Sequence, residues 1–125
     1  TPVGGPATKT LLYECVAFTI LSSMSGCSRL LGPRSATGSI MGHFSGLEAR
    51  FTGEIARAAC KLTREQAEEI VQKAYAKYEG NLGARPYGKP FQEVYDLKTI
   101  QPTDEWRKMY EEVKNEAAGW GLSFD

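Results

Sequence analysis

The 125-residue sequence has no excess charge of either sign and few cysteines. Fifteen basic residues balance fifteen acidic ones, so the chain lacks the basic field that binding of nucleic acid requires. Cys15, Cys27 and Cys60 lie far apart without a C-x-x-C pair, which argues against a disulfide framework and a zinc site. We expect small buried thiols of a protein in a reducing compartment, and therefore a cytoplasmic location.

Long hydrophobic runs and targeting segments are also missing. The longest apolar stretch, near residues 11–21, contains Glu14 and falls short of the roughly 20 residues that span a bilayer. No signal peptide is present, and we expect no contact with a membrane. Because the chain begins at Thr1 without methionine, we expect a trimmed chain, a processed chain or a piece of a longer protein.

Helical periodicity dominates what is present. An apolar helix is predicted from about residue 8 to residue 25, and its nearly all-round hydrophobicity is typical of burial between layers. Two capping boxes, Ser45-x-x-Glu48 and Thr63-x-x-Gln66, predict the starts of two further helices with apolar stripes. With 42% hydrophobic residues, the chain has enough apolar side chains to form a core.

The C-terminal third is predicted to be an arm followed by a helix. Residues 80–102 contain three glycines and three prolines, so we expect residues 81–101 to cross a surface in extended form, with Phe91 and Tyr95 buried as anchors. Thr103 caps a helix predicted over residues 104–118. The apolar tail behind it is expected to pack into a core or a subunit contact.

One stretch between the first two helices carries the candidate chemistry. Ser28–Leu31 is short and apolar in its second half, which favours a buried parallel strand whose partners lie elsewhere. The Gly32–Phe44 loop then brings Arg34 and His43 beside the start of a helix at Ser45, where an anion can bind. The alternative interpretation is a mobile connecting loop with a surface histidine.

The carboxylates of the first half have structural interpretations. Glu48 is most simply the capping residue of its helix. Glu14 lies on a buried helix and needs a cationic partner, for which Lys9 is the nearest choice in the sequence. We assign a catalytic role to neither of them.

Four segments carry a resemblance to a known family. They are Gly4–Pro6, Thr8–Ala17, Gly46–Phe51 and Tyr95–Thr99. Together they resemble the C-terminal part of the methylamine methyltransferases, and among these the monomethylamine methyltransferases of methanogenesis. The resemblance covers essentially the whole chain.

The resemblance implies an α/β fold, the C-terminal segment of a (β/α)8 TIM-type barrel. Within it, residues 1–80 are the closing part of the barrel, mostly helical with one short buried strand, and residues 81–125 are a C-terminal arm and helix. Enzymes of this family move the methyl group of a methylamine to the cobalt of a cognate corrinoid protein, and their catalytic residue is pyrrolysine. Since the chain contains no nonstandard residue, the resemblance implies that its catalytic residues lie upstream of Thr1.

The same resemblance gives expectations for partners and site residues. The corrinoid is carried by the partner protein, so we expect no cofactor or metal bound directly by this chain, and we expect a homo-oligomer. Because loops after barrel strands form the active face, Arg34, His43 and Ser45 are our candidates for contacting the corrinoid protein. Two other interpretations stay open: a stand-alone helical interaction or assembly module without catalytic activity, and the terminal segment of a different barrel enzyme.

Overall fold

Five α-helices make up most of the molecule in a computed structural model that describes residues 1–125. They are α1 Lys9–Met24, α2 Gly46–Ala59, α3 Arg64–Tyr78, α4 Phe91–Val94 and α5 Asp104–Gly119. Two short strands, β1 Tyr95–Asp96 and β2 Gln101–Pro102, pair antiparallel with Tyr95 opposite Pro102. None of the helices combines the length and the apolar character needed to cross a membrane.

Helix α1 is the centre of the packing, as its all-round hydrophobicity predicts. Its residues from Thr10 to Ala17 are all buried, because α2, α3 and α5 pack around it. The largest core side chains are Leu11, Leu12, Phe51, Ile55 and Trp106, each inaccessible to solvent. A single cluster of 22 buried hydrophobic residues joins the four long helices.

The starts of α2, α3 and α5 confirm the predictions made from capping residues. The Thr63 N–H donates to Gln66 Oε1 over 2.9 Å, and the Gln66 N–H donates to Thr63 Oγ1 over 3.2 Å, which forms a complete capping box. Thr103 accepts a hydrogen bond from the Trp106 N–H at the start of α5. These local contacts satisfy amides that lack partners at a helix start.

The apolar tail after α5 packs into the core, as predicted. Leu122 is 2% exposed and belongs to the main cluster. The Phe124 ring lies 6.1 Å from the ring of Phe51, and the Lys114 ammonium lies 5.3 Å from the centre of the Phe124 ring. The tail therefore connects α2 to α5.

Deletion of residues 120–125 is expected to lower the free energy of unfolding by about 2–3 kcal/mol, the value of one fully buried leucine with its neighbouring contacts. Urea denaturation of the protein that carries this chain measures the change. Deletion of Asp125 alone is the control, since it leaves Leu122 in place. Equal stability of both truncated proteins would contradict the packing role of Leu122.

The expected buried strand at residues 28–31 is not found. These residues have no regular secondary structure, and Leu31 is 85% exposed. A buried parallel strand needs neighbouring strands, and the only ladder in residues 1–125 is the two-residue hairpin of β1 and β2. The segment therefore lies unpaired, which is the outcome expected in the absence of strands from elsewhere.

The prediction of an extended arm over residues 81–101 is wrong for its second half. Residues 85–90 have no regular secondary structure and run beside residues 5–6, whereas the second half folds into the short helix α4 and the hairpin, with Val94 fully buried. Phe91 and Tyr95 are only half-buried, and their rings stack on each other with centres 4.9 Å apart.

The cysteines are free, and only one of them is buried. Cys15 lies in the core of α1, whereas Cys27 and Cys60 are exposed. Cys27 lies just beyond the C-terminal end of α1, and Cys60 is the C-terminal cap of α2. The expectation of buried thiols is therefore correct for Cys15 and wrong for the other two.

Candidate functional site

The loop between α1 and α2 contains a left-handed turn. Ala36, Thr37 and Gly38 have φ values of 51°, 64° and 71°. This conformation costs roughly 1–2 kcal/mol for a residue with a Cβ, and the β-branched Thr37 rarely adopts it. The turn is held by two hydrogen bonds, from the Ala36 N–H to the Gly4 carbonyl over 2.7 Å and from the Thr37 N–H to the Pro2 carbonyl over 2.8 Å. Strain fixed in this way is typical of functional segments.

The loop encloses an open recess of about 400 Å³. Its most exposed apolar side chains are Met41, 96% exposed, and Phe44, 63% exposed. Arg34 lies in the same recess, is exposed and forms no ion pair. The lining is Pro33, Arg34, Ser35, Gly38, Ser39, Ile40, Met41, Gly42 and Phe44. The recess therefore offers one unpaired cation among apolar side chains.

His43 is not among the residues that line this recess, although it belongs to the loop. The side chain is half-buried, and its Nδ1 lies 3.3 Å from the Met41 carbonyl oxygen. The loop is also fixed on the side of the C-terminal arm, where the Phe91 N–H donates to the Gly42 carbonyl over 2.8 Å. Arg34 and His43 are thus parts of one loop but do not share one pocket.

Ser45, the third predicted site residue, is 7% exposed and fully engaged inside the protein. Its hydroxyl donates to the Glu48 carboxylate and accepts a hydrogen bond from Trp106 Nε1 over 3.0 Å. Its N–H also donates to Glu48, over 2.5 Å. Because the Glu48 carboxylate takes the place that a bound anion takes at a helix start, Arg34 is the group that remains for an anionic contact.

Glu48 is a buried carboxylate held by hydroxyl and amide donors. It is 1% exposed, and besides Ser45 it accepts a hydrogen bond from the Ser35 hydroxyl over 2.9 Å. Burial raises the pKa of the Glu48 carboxyl above its usual range, although the hydrogen bonds from Ser45 and Ser35 oppose this shift. The capping role predicted from the sequence is confirmed, and the contact to Ser35 extends it into the candidate loop.

Glu14 is the second buried carboxylate, and its predicted pairing with Lys9 is wrong. It accepts hydrogen bonds from the Val3 N–H over 2.9 Å and the Gly4 N–H over 2.8 Å, while Lys9 pairs with Glu112 over 2.7 Å. Positions five residues apart lie about 140° apart around a helix, which points Lys9 and Glu14 in different directions. Burial raises the pKa of Glu14, and the two backbone hydrogen bonds oppose the shift.

Few features of the sequence indicate the residues that support the loop. The capping box identified Glu48, but Ser35 and Trp106 are joined to it only in three dimensions. Nothing in the sequence pattern predicts a left-handed Ala36. No group of three or more histidine, cysteine, aspartate or glutamate side chains is placed to hold a metal ion.

Comparison of the sequence with protein families identifies the family of this chain. A family model described as monomethylamine methyltransferase MtmB matches residues 1–122. The chain belongs to the monomethylamine methyltransferase family. The resemblance noted in the sequence is therefore confirmed.

Relatives within the monomethylamine methyltransferase family cover almost the entire chain. It is 39% identical over 123 residues to monomethylamine methyltransferase MtmB2 of Methanosarcina barkeri, and 37% identical to MtmB of Methanosarcina mazei. The crystal structure of Methanosarcina barkeri MtmB superposes with a TM-score of 0.92 at 37% identity, as does a hydroxylamine complex of MtmB. Each match covers 98% of this chain, which spans only 27% of the length of these relatives.

Proposed function

We propose that the protein carrying this chain transfers the methyl group of monomethylamine to the cobalt of a cognate corrinoid protein. In this proposal the 125 residues are the C-terminal segment of a (β/α)8 barrel, and the pyrrolysine that activates the amine lies upstream of Thr1. The corrinoid belongs to the partner protein and supplies the cobalt that accepts the methyl group. The residues described here contribute structure and docking, in a protein of the cytoplasm that assembles as a homo-oligomer.

The main support for the proposal is that the sequence and the structure match the same family over the same residues. A family model for a monomethylamine methyltransferase matches nearly every residue, and the superposition at a TM-score of 0.92 includes the irregular segments as well as the helices. Similarity confined to the helices would support only a common packing.

The loop of residues 32–44 is proposed as the docking element for the corrinoid protein. In the proposed barrel the last strand precedes this loop, formed by residues 28–31 once neighbouring strands are present, and loops that follow strands in this way build the active face of barrels. Arg34 provides an unpaired guanidinium, and the exposed Met41 and Phe44 provide apolar contact area. His43 adds a polar ring outside the recess, while Ser45 acts indirectly by holding the start of α2. This combination fits the surface of a partner protein.

Replacing Arg34 and His43 together with alanine tests this docking role. We expect the corrinoid-protein concentration for half-maximal methyl transfer to rise about five- to tenfold, since charge-assisted contacts to a partner are lost. The rate at saturating corrinoid protein and the binding of monomethylamine are expected to stay unchanged. Steady-state transfer assays over a range of corrinoid-protein concentrations measure both quantities.

Arg57→Ala is the matched control, because Arg57 is an exposed arginine in the last turn of α2, at the opposite end of the helix. This variant should behave like the unaltered protein. Transfer that is unchanged at limiting corrinoid protein would remove the loop from the docking surface. Absence of methyl transfer in the unaltered protein supplied with monomethylamine and corrinoid protein would overturn the proposed activity itself.

A further inference from the structure

We propose that Glu14 and Glu48 are a pair of positioning residues that hold two neighbouring segments, residues 2–6 and residues 34–45, as a single unit. The inference rests on the proposed function for one point only, that the second segment belongs to the docking face. The coupling of the two segments stands on their contacts. Neither carboxylate has a role in the transfer chemistry.

Each carboxylate reaches back from a helix to the segment that precedes that helix. Glu14, in the second turn of α1, accepts the N–H groups of Val3 and Gly4. Glu48, in the first turn of α2, accepts the Ser45 N–H and the Ser35 hydroxyl. The same device therefore appears twice, once for each helix.

The two segments are also hydrogen-bonded to each other. The Ala36 N–H donates to the Gly4 carbonyl, and the Thr37 N–H donates to the Pro2 carbonyl. Gly4 consequently donates to Glu14 and accepts from the left-handed turn. A Cβ at Gly4 would lie 2.5 Å from the Leu11 nitrogen, so the first segment is seated directly on the start of α1. A displacement of either segment must disturb the other.

Both carboxylates are buried without a cation, which explains why they can fix backbone positions. Glu14 is 6% exposed and Glu48 is 1% exposed, and neither forms an ion pair. Hydrogen-bond donors from the chain therefore compensate the burial of their charge. A glutamine in their place keeps the shape but turns an NH₂ group toward donors, which leaves a buried N–H without an acceptor.

Amide hydrogen exchange in the protein that carries this chain tests the coupling. In Glu14→Gln we expect exchange to become about tenfold faster at Val3 and Gly4, and equally at Ala36 and Thr37, more than 20 residues away. In Glu48→Gln the same acceleration is expected at Ser45 and at Ala36 and Thr37. In the double variant, exchange at Ala36 and Thr37 should accelerate by less than the product of the two single accelerations, because both substitutions loosen the same unit.

Glu112→Gln is the matched control. Glu112 is exposed and pairs with Lys9 of α1, but it contacts neither segment, so exchange at these five amides should not change. If a glutamine variant does not fold, Ser35→Ala removes a single donor to Glu48 and should still speed exchange at Ala36 and Thr37. Acceleration confined to the segment next to the altered glutamate would overturn the single unit.

A second measurement separates positioning from general stability. Glu48→Gln is expected to raise the corrinoid-protein concentration for half-maximal transfer about fivefold with unchanged binding of monomethylamine, whereas a merely structural defect lowers active protein without moving that concentration. An unchanged concentration would overturn the positioning role. If the unaltered protein transfers no methyl group, the proposed function fails, and the exchange rates still decide whether the two segments are coupled.

Discussion

Trp106→Ala is expected to lower the free energy of unfolding by about 3–5 kcal/mol, the usual loss when a large aromatic side chain is removed from a packed core. Trp106 is inaccessible to solvent, and its Nε1 donates to the Ser45 hydroxyl over 3.0 Å. The substitution leaves a cavity and removes one of the hydrogen bonds that hold Ser45. Urea denaturation of the protein carrying this chain measures the change.

Two further variants separate the volume of the indole from its hydrogen bond. Trp106→Phe keeps most of the ring but loses the donor, and should cost about 1–3 kcal/mol. Trp120→Ala removes a half-buried tryptophan of the tail and should cost less than Trp106→Ala. Equal losses for the two alanine variants would show that Trp106 is not the principal aromatic residue of the core.

Gly88→Ala is expected to destabilise the protein by about 3 kcal/mol or more, from two independent causes. Gly88 has a φ of 69°, which costs a residue with a Cβ roughly 1–2 kcal/mol. A Cβ at this position would also lie 2.0 Å from the Pro6 carbonyl oxygen, so the two backbone segments must separate. That movement disrupts the hydrogen bond from the Lys89 N–H to the same carbonyl.

Gly83→Ala is the control for the glycine substitution. A Cβ at Gly83 meets nothing within 4 Å, and its φ lies outside the left-handed region. The expected change is within about 0.5 kcal/mol, as for most surface substitutions. Thermal unfolding compares the two variants, and a Gly88→Ala protein as stable as Gly83→Ala would disprove the close approach of the two segments.

The helices were predictable because their signals are local. Capping residues and apolar stripes lie within a few positions of the helix that they define, which is why the starts at Ser45, Thr63 and Thr103 are correct. The prediction of a strand at residues 28–31 was wrong because two adjacent apolar residues do not show whether other parts of the protein cover them. Leu31 is exposed in residues 1–125, although its side chain is apolar.

The candidate site was predictable in position but not in its connections. Glycines, Arg34 and His43 marked the loop, and the capping box marked Glu48. The partners of Glu14 are backbone amides, which every residue except proline has, so side-chain chemistry could not identify them and instead suggested Lys9. The left-handed Ala36 and Thr37 depend on contacts with residues 2–4, more than 30 positions earlier in the chain.

The hydrogen bond between Gly5 and Pro86 constrains the order in which the chain folds during synthesis. The Gly5 N–H donates to the Pro86 carbonyl, and 86 − 5 gives a separation of 81 residues. At a synthesis rate of roughly 5–20 residues per second, that partner follows about 4–16 seconds after Gly5 during translation. Gly5 and Pro6 therefore lack their partners at Pro86 and Lys89 during this interval, and closing so long a loop slows folding.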